Sequence, residues 1–212
     1  MQKAADFALT SYLTTGGTRG RVQHAGTYQP RSFNMGFSRA VYEATEGFAL
    51  PNCGEDIELS IRIRKLGFRS GLIPDAYVYH KRKDSLSGFW QQMVWFGKSR
   101  INLQRIYPDS FKLMHLLPLG FYAFMLVWLV AGFVLPWLAV ILGALLCAYL
   151  LAVWTAALMR YRSLQVAFLS IITSLTVFAG YGFGLIKFYF LQKEPYTPVP
   201  PRVKTFIASQ GL

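Results

Sequence analysis

The strongest pattern along this chain is the absence of charge. No charged residue occurs from Leu116 to Met159, and none from Ser163 to Ile186. A bilayer core takes roughly 20 apolar residues per helix, so the first run is long enough for two passes and the second for one. Pro136, with Gly132 before it, marks the turn between the first two. Arg160, Tyr161 and Arg162 form the next break. The pattern predicts membrane helices over 113–134, 137–159 and 163–187, with a buried core helix pair as the competing reading. Uncharged runs this long are uncommon in soluble cores.

Upstream the pattern is mixed. Ala4–Thr14 reads as a short helix ended by Gly16-Gly17, and Thr18–Tyr28 as a polar loop. Phe33–Phe37 is apolar around Asn34 and Gly36. Ser38–Thr45 has helical spacing with Ser38 as a candidate N-cap, closed by Gly47. Leu50–Gly54 reads as a loop. Glu55–Leu66 is the best helix of this part: Ile57, Ile61 and Leu66 fall on one face, and Glu58 pairs with Arg62 at i,i+4. Gly67 stops it. Phe68–Ile73 and Ala76–His80 are expected as strands around Pro74-Asp75. Ser85 caps an amphipathic stretch to Arg105 carrying Phe89, Trp90, Trp95 and Phe96, which suits a helix on a membrane surface. The tail Pro195–Pro201 is expected to be extended.

Composition sharpens this division. Charged residues are 15% of the chain and hydrophobic residues 53%, whereas a soluble domain carries about 25% charged residues. That argues against disorder and against an ordinary cytosolic protein. The 22 Lys and Arg outnumber the 10 Asp and Glu, for a net charge of +12. Lys98, Arg100, Arg105 and Lys112 precede the first span and place residues 1–114 in the cytoplasm. Arg160 and Arg162 then lie inside after two passes. A third crossing would put Lys187, Lys193, Arg202 and Lys204 outside, against the rule. Either the rule yields, or one apolar segment lies in the interface. The start of the chain has no signal-peptide pattern. Cys53 and Cys147 cannot build a disulfide framework. The basic excess points to anionic membrane lipid and not to nucleic acid. No Asp, Glu, Lys or Arg lies within the runs 116–159 and 163–186, which disfavours a channel or transporter.

Several residues could carry chemistry. Glu55 and Asp56 open the predicted helix; Asp56 could act as a general base, or the two acids could simply stabilise the helix start. His80 ends an expected strand and could meet a metal or phosphate, or be a structural histidine. Asn34-Met35-Gly36 could let backbone approach a ligand, or be an ordinary turn. Lys81–Lys83 could hold anionic lipid or be a solvated run. Trp90, Trp95 and Phe96 could stack on a sugar or sit among headgroups.

The order of these segments resembles the C-terminal half of a membrane-anchored family 2 glycosyltransferase of the bacterial exopolysaccharide, succinoglycan-biosynthesis type. The resemblance rests on NMGFSRAVYEATEGF, GEDIELSIRIRKLGF, PDAYVYH and WQQMVWFGKSR. It implies an α/β fold, a partial GT-A domain over 1–84, then an interfacial helix region over 85–112, transmembrane helices over 113–190 and a proline-rich tail over 191–212. It implies Asp56 as the catalytic base with Glu55 beside it, and Asn34, Gly36 and His80 near the donor diphosphate, His80 also near the metal. Gln91 and Trp95 match the ends of the acceptor-side Q-x-x-R-W motif, but Val94 replaces its arginine, which favours single-sugar transfer. A divalent cofactor, Mg or Mn, is implied. No D-x-D occurs in the chain, so most metal ligands and the donor-binding half are expected elsewhere, on a missing N-terminal half or a separate donor-binding chain. The expected partners are a nucleotide-sugar, a lipid-linked or polysaccharide acceptor and membrane lipid, at the cytoplasmic face of a bacterial inner membrane. The alternative is a non-catalytic membrane module that binds a partner or lipid.

Overall fold

The computed structural model describes residues 1–16, 28–50, 54–73, 75–191 and 199–209. Among them the chain forms helices α1 (Gln2–Thr10), α2 (Tyr12–Thr15), α3 (Arg39–Thr45), α4 (Glu55–Lys65), α5 (Leu86–Ile106), α6 (Leu117–Val134), α7 (Pro136–Tyr161), α8 (Leu164–Leu191) and α9 (Pro201–Ser209). Short 3-10 turns occupy Pro108–Ser110 and Leu113–Leu116.

The expected α/β fold is overturned. The described residues contain no strand, and their one isolated β-bridge joins Arg31 to Asn34. The partial GT-A domain expected over 1–84 is therefore not formed, and the described chain is all-α. Phe68–Ile73 and Ala76–His80 carry the residue types of strands, but no strand among the described residues lies alongside them to complete a ladder. Ile73, Tyr77 and Tyr79 are accordingly exposed.

Local signals explain the helix ends. The first helix breaks at Ser11, whose extended backbone and side chain cap α2 through the Leu13 N–H. Ser38 caps α3 through the Val41 N–H. Leu66 falls just past the last turn of α4 and is exposed, so it leaves the face shared by Ile57 and Ile61. Pro201 opens α9, since proline suits the first turn of a helix; of the rest of the expected extended stretch, Val199 and Pro200 have no regular structure and 195–198 lies outside the described residues. So do most of the loop Thr18–Tyr28, Cys53 and Pro74.

Three helices are long and apolar enough to cross a membrane: Leu113–Val134, Pro136–Tyr161 and Leu164–Leu191, with mean hydropathies of 2.1, 2.3 and 1.8. The chain divides into two compact units. The first holds residues 1–16, 81–97 and 113–184. Here α6 and α7 form a hairpin, tied near its tip by the Trp128 indole donating to the Ala139 carbonyl at 3.0 Å. Helix α1 is buried: Phe7 packs on Val153, Ala157 and Ala167, while Ala5, Ala8 and Leu9 meet Phe89, Met93 and Val177. Asp6 accepts hydrogen bonds from Arg82, Arg160 and the Tyr161 hydroxyl. The glycines of α8 allow α5 to approach closely. A Cβ on Gly180 would lie 2.7 Å from that of Met93, and one on Gly184 would overlap the Val94 carbonyl.

The second unit holds residues 28–50, 54–73, 75–80, 98–112, 185–191 and 199–209. Its core joins Ala49, Leu50, Ile61, Leu103, Ile106, Tyr107 and Val203. A smaller cluster joins Val41, Leu59 and Ile63. Between them runs a buried polar network. Glu58 accepts from Arg62 at 2.7 and 3.0 Å and from the Tyr107 hydroxyl at 2.9 Å. Arg62 also donates to the Gly47 carbonyl. Burial, then the Glu58 charge, pushes the Tyr107 hydroxyl well above its ordinary pKa.

Candidate functional site

The candidate residues of the second unit converge on one tight turn. The Asn34 N–H donates to the Arg31 carbonyl at 2.8 Å, closing Arg31–Asn34. Each side chain of consequence on this turn reaches a different segment. The Arg31 guanidinium lies 3.7 Å from Asp56 Oδ2. The Phe33 ring stacks flat on His80, with centroids 4.3 Å apart and planes 5° from parallel. The Asn34 amide donates to the Ala76 carbonyl at 3.2 Å. Three residues singled out from the sequence, Asn34, Asp56 and His80, are thus joined through Arg31–Asn34, although they span 47 residues of sequence.

Asp56 sits in the first turn of α4, opened by Gly54 in the left-handed region at φ 83°. A Cβ at Gly54 would come within 2.9 Å of Leu103, so glycine serves both backbone and space there. Asp56 Oδ1 accepts the Ile57 N–H at 2.8 Å, and Oδ2 faces Arg31. The carboxylate is 15% exposed, held in place yet open to solvent. Glu55 and Glu58 share this first turn, where the helix dipole favours negative charge. Glu58 points into the buried network, while Glu55 is half-buried.

Gly36 is exposed, and a Cβ there would meet nothing within 4 Å. The protein itself does not require glycine at that position. Gln91 and Trp95 belong to the first unit, exposed and one turn apart on α5.

The described residues do not fit a metal by themselves. Among them no group of three His, Cys, Asp or Glu side chains could hold an ion. Among the described residues His80 is the one histidine at the turn, and its ring lies against Phe33. An open cavity of about 350 Å³ is lined by other residues, including Thr45, Arg62, Arg202 and Thr205.

Arg31 and Phe33 were not singled out from the sequence. Arg31 acts on a carboxylate 25 positions away, and no local periodicity signals such a pairing. Phe33 read as one apolar residue among several. No family model, curated protein or solved structure matches this chain.

Proposed function

We propose that this chain is the acceptor-side, membrane-anchored part of an inverting glycosyltransferase. It works at the cytoplasmic face of a bacterial inner membrane on a lipid-linked or polysaccharide acceptor. The observation that supports this reading is the convergence of Asp56, Asn34 and His80 on the Arg31–Asn34 turn. A carboxylate on a rigid helix start, beside a guanidinium and an exposed aromatic stack, suits deprotonation of a sugar hydroxyl. In this reading Asp56 takes the proton of the acceptor hydroxyl as its oxygen attacks the anomeric carbon, and the nucleoside diphosphate departs. Phe33 is 51% exposed, and the ring face turned away from His80 offers a platform for an apolar sugar face. Arg31 and Asn34 supply donors for hydroxyl or phosphate oxygens.

No D-x-D occurs in the 212 residues. Binding a nucleotide-sugar therefore calls on carboxylates outside them, and no step here is routed through a metal. The test uses membranes of the source cells carrying Asp56→Asn at the native locus. Transfer from radiolabelled nucleotide-sugars into the lipid and polysaccharide fractions is measured at equal protein level. A general base contributes about 10²–10⁴-fold, so transfer should fall at least about a hundredfold. Transfer at the wild-type rate would overturn the reading.

A further inference from the structure

We infer that only α6 and α7 cross the bilayer, and that α8 lies along the near face, the side from which α6 starts. The inference does not depend on the proposed activity.

The path of α8 within the first unit shows this. Gly182 is about five turns into α8. A helix standing upright for that length, about 27 Å at 1.5 Å per residue, would have reached the far side of a core of about 30 Å. Instead a Cβ on Gly182 would lie 3.1 Å from the Pro118 carbonyl, in the first turn of α6. Beside it the Tyr122 hydroxyl donates to the Ala179 carbonyl at 2.7 Å. At its other end α8 packs Ala167 on Val153 and Ala157, in the last turns of α7. Both ends of this stretch of α8 thus touch the near ends of the hairpin. It runs across the base of α6 and α7, not alongside them.

Burial agrees. In α6 and α7 only 6% of the most apolar window is covered by protein, against 39% in α8. The apolar surface of α6 and α7 is left for acyl chains, while much of that of α8 is taken up by the protein. The Thr173 hydroxyl donates to the Ala4 carbonyl, and Met93 and Trp90 of α5 lie against Gly180. Helices α1 and α5 both precede the first span.

The second unit joins segments from before and after the apolar helices. Residues 98–112 come before α6, and 185–209 come after α7. Yet Val203 of α9 is fully buried in one core with Leu103 and Tyr107. The Arg105 guanidinium donates to the Phe188 carbonyl at 3.0 Å. Segments packed in one core share one side of the membrane, so an even number of crossings separates them. The charge pattern then fits as well: Lys187, Arg202 and Lys204 fall on the same side as Lys98, Arg100, Arg105 and Lys112.

The test is cysteine accessibility in the full-length chain with Cys53→Ser and Cys147→Ser. Single substitutions Asp75→Cys, Leu135→Cys, Gln165→Cys and Ser209→Cys are treated with a membrane-impermeant maleimide on intact cells and on opened membranes. Leu135→Cys is expected to react on one side, and the other three together on the opposite side. Fluorescent-protein and alkaline-phosphatase fusions after Leu212 give a second reading of the C-terminal side, expected to match that of Asp75→Cys. Ser209→Cys reacting opposite Asp75→Cys, or a fusion reporting that side, would overturn the inference. So would Leu135→Cys reacting on the same side as Asp75→Cys.

Discussion

Glu58 has no exposed surface and accepts from both Arg62 and Tyr107. Removing one partner of a buried ion pair costs about 3–5 kcal/mol, because the other charge is left buried. Glu58→Ala should therefore unfold or severely loosen the second unit, read as fast hydrogen exchange along α4. Tyr107→Phe removes one bond to a charged group and should cost about 1.5–3 kcal/mol. The same tyrosine sets a pH dependence. Its hydroxyl is held above the ordinary value of 10.0, first by burial and then by Glu58. The unfolded chain ionises near pH 10 while the folded one stays protonated. Stability is thus complete below about pH 10 and is lost as pH rises above it. Tyr107→Phe should flatten that alkaline loss; a decline as steep as in the wild type would refute the assignment. The Glu58–Arg62 pairing was legible from spacing alone. Its burial was not, because Tyr107 lies 49 positions away.

At the scale of elements, the glycines of α8 decide how closely α5 can lie. Gly184→Val drives a side chain into the Val94 carbonyl, and Gly180→Leu into Met93 and the Trp90 backbone. Each should cost more than the 1–3 kcal/mol usual for overpacking, because backbone must move. Gly120 in α6 meets nothing within 4 Å. Gly120→Ala should be neutral or stabilise by about 0.5–1 kcal/mol. Thermal melts of the protein in detergent compare the three, and equal melting points would sink the argument. Helices with local signals could be read in advance: α3 by Ser38, α4 by its acidic first turn. The strands could not be judged that way. Alternation in Ala76–His80 describes a willing strand, but a ladder needs a neighbour, and none of the described residues forms one there. The burial of α1 was equally illegible, since its partners Ala157, Thr173 and Val177 come about 150 residues later. At the site, Asn34, Asp56 and His80 could be named, but Arg31 and Phe33 could not.

The whole molecule does not follow the order of its sequence. The first unit is assembled from three separated stretches, and Asp6 fastens them. One carboxylate, 31% exposed, accepts from Arg82 in the stretch after His80 and from Arg160 and Tyr161 at the end of α7. Asp6→Asn weakens these bonds together. Partly exposed pairs are each worth up to about 1 kcal/mol, so the loss should total about 1–2 kcal/mol. It should appear as faster hydrogen exchange in α1 and shrink as salt is raised. Unchanged protection of α1 would show that apolar packing alone secures it. The tip of the α6–α7 hairpin has a further consequence, for how the protein is made. Leu135 is the single residue between the two helices, and no charge occurs from Leu116 to Met159. Nothing hydrophilic has to be carried through the hydrocarbon when the hairpin enters. With only α6 and α7 crossing, as inferred above, the two helices can partition from water into lipid together, as one closed pair, with no charged segment between them to export.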